Sequence, residues 1–224
     1  SIVYHWAVIQ AVLARYSPKI IVLNLDAQPL ITGFNGSEAP RELIPYYRTH
    51  PEIRSAITTY DRFAWLKQLS SLYTMNEQFP MTFWRQKSIS SLEDSTGFTP
   101  AQGQWTDSMA VYTGDSQTPL DDNRIGFYKS ILEECKSRKI SLVLVAAPYY
   151  AKFPDGRKSF ELAKSMALAA GFPFLDHLSD TTFLNHREFF LDQFHLNLVG
   201  AEAFSRLLSS ELRAIGLASP KGKP

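Results

Sequence analysis

The chain predicts an α/β fold in which helices flank a parallel sheet and a mostly helical insertion interrupts the pattern over about residues 33–122. Two short apolar runs rich in branched side chains, 19–25 and 140–147, have the character of parallel strands covered on both faces. Helical and strand periodicities alternate on either side of the interruption, as in sheets built from strand–helix–strand units. Between Gly33 and Asp122 that rhythm stops, and Pro40, Pro45, Pro51, Pro80 and Pro100 punctuate the segment.

Residues 2–16 carry apolar positions at helical spacing in Ile2, Trp6, Ile9 and Leu13, and Pro18 ends the helix by forcing its neighbour out of helical geometry. The helix opens without a capping or leader sequence, as expected of a chain that starts part-way into a longer protein. The strand 19–25 ends in polar groups, Asn24 and Asp26, where open parallel sheets place ligands. Inside the insertion the spacing of Ile53, Ile57, Tyr60, Ala64, Leu66 and Leu69 predicts one helix over about 52–73. Phe79, Phe83 and Trp84 are expected to cover the rim of the sheet. Ile125, Tyr128, Ile131, Leu132 and Cys135 then form an amphipathic helix with Lys136, Arg138 and Lys139 at its negative end. After the strand 140–147 comes a helix over about 158–170, stopped by Gly171, and a short last strand over 172–176. The final helix begins after Asn197 and turns the stripe Ala201, Phe204, Leu207, Leu208 and Leu212 to one side.

With 224 residues the chain can bury a substantial core as one domain over 1–224, and its net charge of +1 gives no basic field for nucleic acid. Cys135 is expected to be a small buried hydrophobe. No cofactor is expected: no glycine-rich phosphate loop follows a strand, and the five histidines include no pair at the spacing of a metal site on a helix face. His177 and His186 read as surface histidines, and a metal held by Asp176, His177 and His186 is disfavoured.

One stretch carries chemistry. In 189–201 an acid and an imidazole, Asp192 and His195, stand three positions apart on a turn ahead of the last helix. An acid that orients an imidazole, and an imidazole that takes a proton from a hydroxyl nucleophile, are the working parts of acyl transfer. The pattern Asp192-x-x-His195 with Leu196-Asn197, Gly200-Ala201 and a C-terminal amphipathic helix resembles the last block of the SGNH (GDSL-type) hydrolases, in particular their envelope-associated esterase and O-acetyl transfer branch. The resemblance spans about residues 125–214.

That resemblance implies a flavodoxin-like sheet of five strands, of which three are visible here, and a serine after the first strand. It therefore puts the nucleophile ahead of Ser1, with His195 as general base and Asp192 as its orienting partner. It implies hydrolysis or transfer of an acyl group, acetyl above all, on a small-molecule ester or acylated carbohydrate, in a periplasmic or extracellular setting and possibly from a membrane anchor absent here. Tyr112-Thr113-Gly114-Asp115-Ser116 spells Gly-Asp-Ser, but Ser116 stands too late in the chain and in an ordinary turn composition. Asn24 lacks the glycine that precedes the family's oxyanion-binding asparagine, so a hydrogen bond to a neighbouring loop is its expected role. The rival from another class is a catalytically silent domain that binds a glycan or a partner protein through the aromatic insertion.

Overall fold

The computed structural model describes residues 1–31, 40–67, 69, 101, 103–106, 119–151 and 157–217. Among them it holds a three-stranded parallel sheet flanked by helices. The strands are β1 (Ile20–Asn24), β2 (Ser141–Ala146) and β3 (Phe174–Asp176), in spatial order β1-β2-β3. Ile21 stands beside Leu142, Leu23 beside Leu144 and Leu175 beside Val145. Helix α1 (Ile2–Leu13) leads into β1. The insertion contributes α2 (Arg54–Tyr60) and α3 (Ala64–Lys67). Then follow α4 (Asp122–Ser137), α5 (Arg157–Ala170), the short α6 (Thr181–Leu184) and the C-terminal α7 (Leu198–Ala214). No helix among the described residues is long and apolar enough to cross a membrane.

One face of the sheet is built as the periodicity dictates. Leu23, Leu142 and Leu144 meet Ile2, Val3, Ala7 and Ile9 of α1, Tyr128, Ile131 and Cys135 of α4, and Ala163 and Ala167 of α5 in a single buried cluster. Removing a side chain of that size from water stabilises the fold by roughly 1.5–3 kcal/mol. Trp6 packs on Phe127 with ring centroids 5.0 Å apart, Gln10 hydrogen-bonds Glu134, and the buried Tyr128 hydroxyl donates to the Ala163 carbonyl at 2.9 Å, so α1, α4 and α5 lock to one another as well as to the sheet. Cys135 is buried, as its helical position predicts, and burial pushes its thiol up to about 11, which leaves no thiolate for chemistry at neutral pH.

The other face departs from expectation at β1. Val143 of β2 is fully buried, whereas its neighbour Val22 is 43% exposed. Ile20 points the same way and is also exposed. A continuous apolar run predicts two covered faces, but β1 is an edge strand of the described sheet, and the cover over Val143 of the central β2 does not extend to Ile20 and Val22.

The helix expected over 52–73 is broken. A 3-10 turn, Pro51–Ile53, runs into α2, and the chain leaves helical geometry at Asp61 before α3 resumes. Asp61 is the cause: its carboxylate accepts the Phe63 N–H at 3.2 Å and pairs with Lys67 at 2.6 Å, offering the backbone a local turn in place of the helix ladder. Residues 70–73, Phe79, Phe83, Trp84 and Ser116 lie outside the described residues.

The insertion leaves and rejoins the sheet at one place. Ile31 and Leu120 form an antiparallel bridge, and the Asp121 N–H donates to the Leu30 carbonyl at 2.9 Å. Asp121 then caps α4, accepting from Asn123 N at 2.9 Å and Arg124 N at 3.3 Å, and takes the Tyr60 hydroxyl at 3.2 Å from α2. The strand–helix rhythm resumes across the insertion because this junction is pinned. Replacing Asp121 with Ala is expected to cost about 1–2 kcal/mol of stability, the usual loss for an N-cap, and urea unfolding of the variant against wild type measures it.

Candidate active site

The stretch 189–197 folds back on itself as a narrow hairpin. Phe190 bridges Leu196, the Leu191 N–H donates to the His195 carbonyl at 2.8 Å, and the Asn197 N–H donates to the Phe189 carbonyl at 2.9 Å. Asp192 organises the tip, where its Oδ1 accepts the backbone N–H groups of Phe194 at 2.7 Å and His195 at 2.9 Å. This is the local turn a short polar side chain makes when it competes for backbone donors.

The same carboxylate holds the imidazole. His195 Nδ1 lies 2.9 Å from Oδ1 and 2.8 Å from Oδ2 of Asp192. Partial burial works to raise the Asp192 pKa, but the hydrogen bonds from His195 and Phe194 outweigh it and hold the carboxyl below its ordinary 3.8. At neutral pH Asp192 is therefore an acceptor only, so Nδ1 is the ring nitrogen that donates to it. The His195 side chain is 69% exposed, and Nε2 has no hydrogen-bond partner among the described residues.

Three tethers bring this hairpin to the carboxyl ends of the strands. The Gln193 carbonyl accepts from Tyr150 N at 3.1 Å and Ala151 N at 3.0 Å, just beyond β2. Tyr149 meets Phe194 edge to face with centroids 6.2 Å apart, and Tyr150 meets Phe190 at 5.4 Å. Burial, then the charges of Asp26 and Asp192, push the Tyr149 phenol up to about 12, so the tip of β1 and the hairpin share one electrostatic neighbourhood. From the insertion, Trp105 N donates to the Phe190 carbonyl at 2.8 Å, and the Arg187 guanidinium sits 4.0 Å from the centre of the Trp105 ring. Between residues 104–106 and 191–194 lies a cleft of about 330 Å³ with Asp192 in its wall.

Asn197 fixes the hairpin to α7. It is 3% exposed; its Oδ1 accepts the Gly200 N–H at 3.0 Å, and its Nδ2 donates to the carbonyls of Glu188 at 2.7 Å and Gly103 at 2.9 Å. Gly200 completes the seat, since a Cβ there would stand 2.2 Å from the Phe189 carbonyl oxygen.

The other residues flagged in the sequence divide. Asn24 accepts the Ala147 N–H at 3.3 Å, the loop contact expected of it. Ser1 caps α1. Asp176 pairs with Lys164 at 2.8 Å and His186 with Glu188 at 2.8 Å, and among the described residues no three His, Cys, Asp or Glu side chains are placed to hold a metal ion together. His177 overturns its expected place on the surface: it is 9% exposed and lies between two carboxylates. Sequence reasoning passed over Tyr149, Tyr150 and Trp105. The two tyrosines were within reach, because they follow a strand whose carboxyl end is where such sheets bind ligands. Trp105 carried no periodic signal.

Comparisons with protein-family models, with curated protein sequences and with solved structures found no match for this chain.

Gly200→Ala is expected to destabilise the protein by more than about 2 kcal/mol, because the obstructing atoms are backbone, and thermal unfolding registers it as a lowered Tm. Asp192 supplies a second test. A carboxyl with a depressed folded pKa contributes stability that is present above 3.8 and lost as pH falls through the lower folded value. Wild type should therefore exceed Asp192→Asn in stability near neutral pH, and the difference should vanish in acid unfolding titrations.

Proposed function

We propose that the Asp192–His195 hairpin is the general-base half of an acyl-transfer centre that acts with a serine nucleophile on a carboxylic ester, an acylated carbohydrate being the preferred substrate class. The observation that carries this is the Asp192 carboxylate on Nδ1, which leaves the other ring nitrogen of an exposed imidazole available next to a cleft that Asp192 lines. The resemblance of 189–201 to the SGNH hydrolases points the same way, and from it come the serine, the acetyl group and a place in the cell envelope.

In this reading Nε2 takes the hydroxyl proton as the serine oxygen attacks the ester carbon, and Asp192 stabilises the imidazolium that forms. Collapse of the tetrahedral adduct breaks the bond to the alcohol, which leaves with the proton from Nε2. A second hydroxyl then repeats the sequence in reverse on the acyl-serine. Water as that acceptor makes the reaction hydrolysis, and a sugar hydroxyl makes it transfer.

The test, made on the full-length protein, is turnover of p-nitrophenyl acetate together with labelling by a fluorophosphonate, which forms a stable bond to an activated serine. Wild type should turn over the ester and carry the label on one serine, located by mass spectrometry. His195→Ala should lower the rate by a factor of about 10² to 10⁴ and abolish labelling. Asp192→Asn, which keeps the Oδ1 contacts to the turn, should lower the rate by about a hundredfold or more. Equal rates and equal labelling in wild type and His195→Ala would remove the assignment, and no turnover by any of them would favour the silent binding domain.

A further inference from the structure

A second histidine–carboxylate constellation centres on the buried His177. His177 follows β3 directly, and its N–H donates to the Ala146 carbonyl at 3.0 Å, so the residue is anchored to the sheet. Its Nδ1 lies 3.0 Å from Oδ2 of Asp180, the residue that caps α6, and its Nε2 lies 2.9 Å from Oε2 of Glu211 on α7. The ring meets Phe204 of α7 edge to face at 5.4 Å, and Phe204 in turn meets Phe183 at 5.7 Å. Glu211 stands thirteen residues beyond the start of α7, about 20 Å along the helix axis from the Asn197 cap. Helix α7 is thus held at one end by an amide and near the other by this histidine.

The α7 residues that face the protein make a weak seat. Gly200 is the fully buried residue of the helix, and Ala201, Phe204, Leu207, Leu208 and Leu212 are half-buried. A histidine with a carboxylate on each ring nitrogen satisfies both only as the imidazolium, because the neutral ring has one N–H. Loss of the proton sets a lone pair against one carboxylate. Asp180 keeps its bond to Thr182 N at 2.9 Å whatever the ring does, whereas no second partner holds the Glu211 carboxylate among the described residues.

We propose that His177 is a pH-dependent clamp which docks the C-terminal half of α7 against the end of β3 when protonated and releases it when the proton is lost. Burial alone lowers the His177 pKa, but the hydrogen bonds and charges of Asp180 and Glu211, the charged groups acting on it from α6 and α7, outweigh burial and carry it above 6.5. A raised folded pKa means that the clamp contributes fully below 6.5 and is lost as pH rises through the folded value. The clamp stands apart from the chemistry of His195 and holds or fails without it.

Hydrogen exchange tests it. Backbone exchange of the peptide covering 203–214 is followed by mass spectrometry from about pH 5 to about pH 9, corrected for the intrinsic chemical rate and referred to the peptide covering α4. Opening of α7 relative to α4 should rise about tenfold across the titration of His177, whose midpoint is read from its ring proton resonance. In Glu211→Gln the amide can donate to the neutral ring, so the step should disappear. A ratio that does not change with pH in wild type, or a step of the same size in Glu211→Gln, overturns the proposal.

Discussion

The candidate site depends on one buried amide. Asn197 must donate twice and accept once with little water within reach, and the groups that satisfy it come from the hairpin base, from the insertion near Gly103 and from the first turn of α7. An unsatisfied buried amide group costs about 1–3 kcal/mol, so the three segments are held in one arrangement. Asp192 and His195 then need only local geometry to find each other, because both ends of their loop are already fixed.

Two scales of constraint meet in that loop. Within four residues, the Asp192 carboxylate collects two backbone N–H groups and an imidazole N–H, a self-contained turn that needs no other part of the protein. Its position is another matter. The Gln193 carbonyl tied to Tyr150 and Ala151, together with the Tyr149 ring against Phe194, sets the turn above the end of β2. The proposed general base would be useful only where a substrate can be held, and in parallel sheets that is beyond the carboxyl ends of the strands.

The insertion shows how a long excursion can leave a sheet undisturbed. Its ends meet at the Ile31–Leu120 bridge and at the Asp121 cap, so the loop closes before the strand order is affected. Part of it, 101–106, returns to wall the cleft through Trp105 and the Gly103 carbonyl. The outer face of β1, with Ile20 and Val22, stays exposed.

The sequence by itself determined whatever is settled within a few residues of backbone. The alternation of helices and strands, the cap at Asn197, the stop at Gly171, the burial of Cys135 and the pairing of Asp192 with His195 all follow from spacing and side-chain chemistry, and each is present. The break at Asp61 belongs with them, since an aspartate that can take a nearby N–H was visible inside the apolar stripe. What only the tertiary structure decided is burial and company. Val22 and Val143 are the same residue type in similar runs, yet one is exposed and the other covered, because cover comes from chain far away in sequence. His177 looks like a loop histidine until Glu211, thirty-four residues on, closes over it. Local pattern specifies which groups want partners, and only the assembled fold specifies which partners arrive.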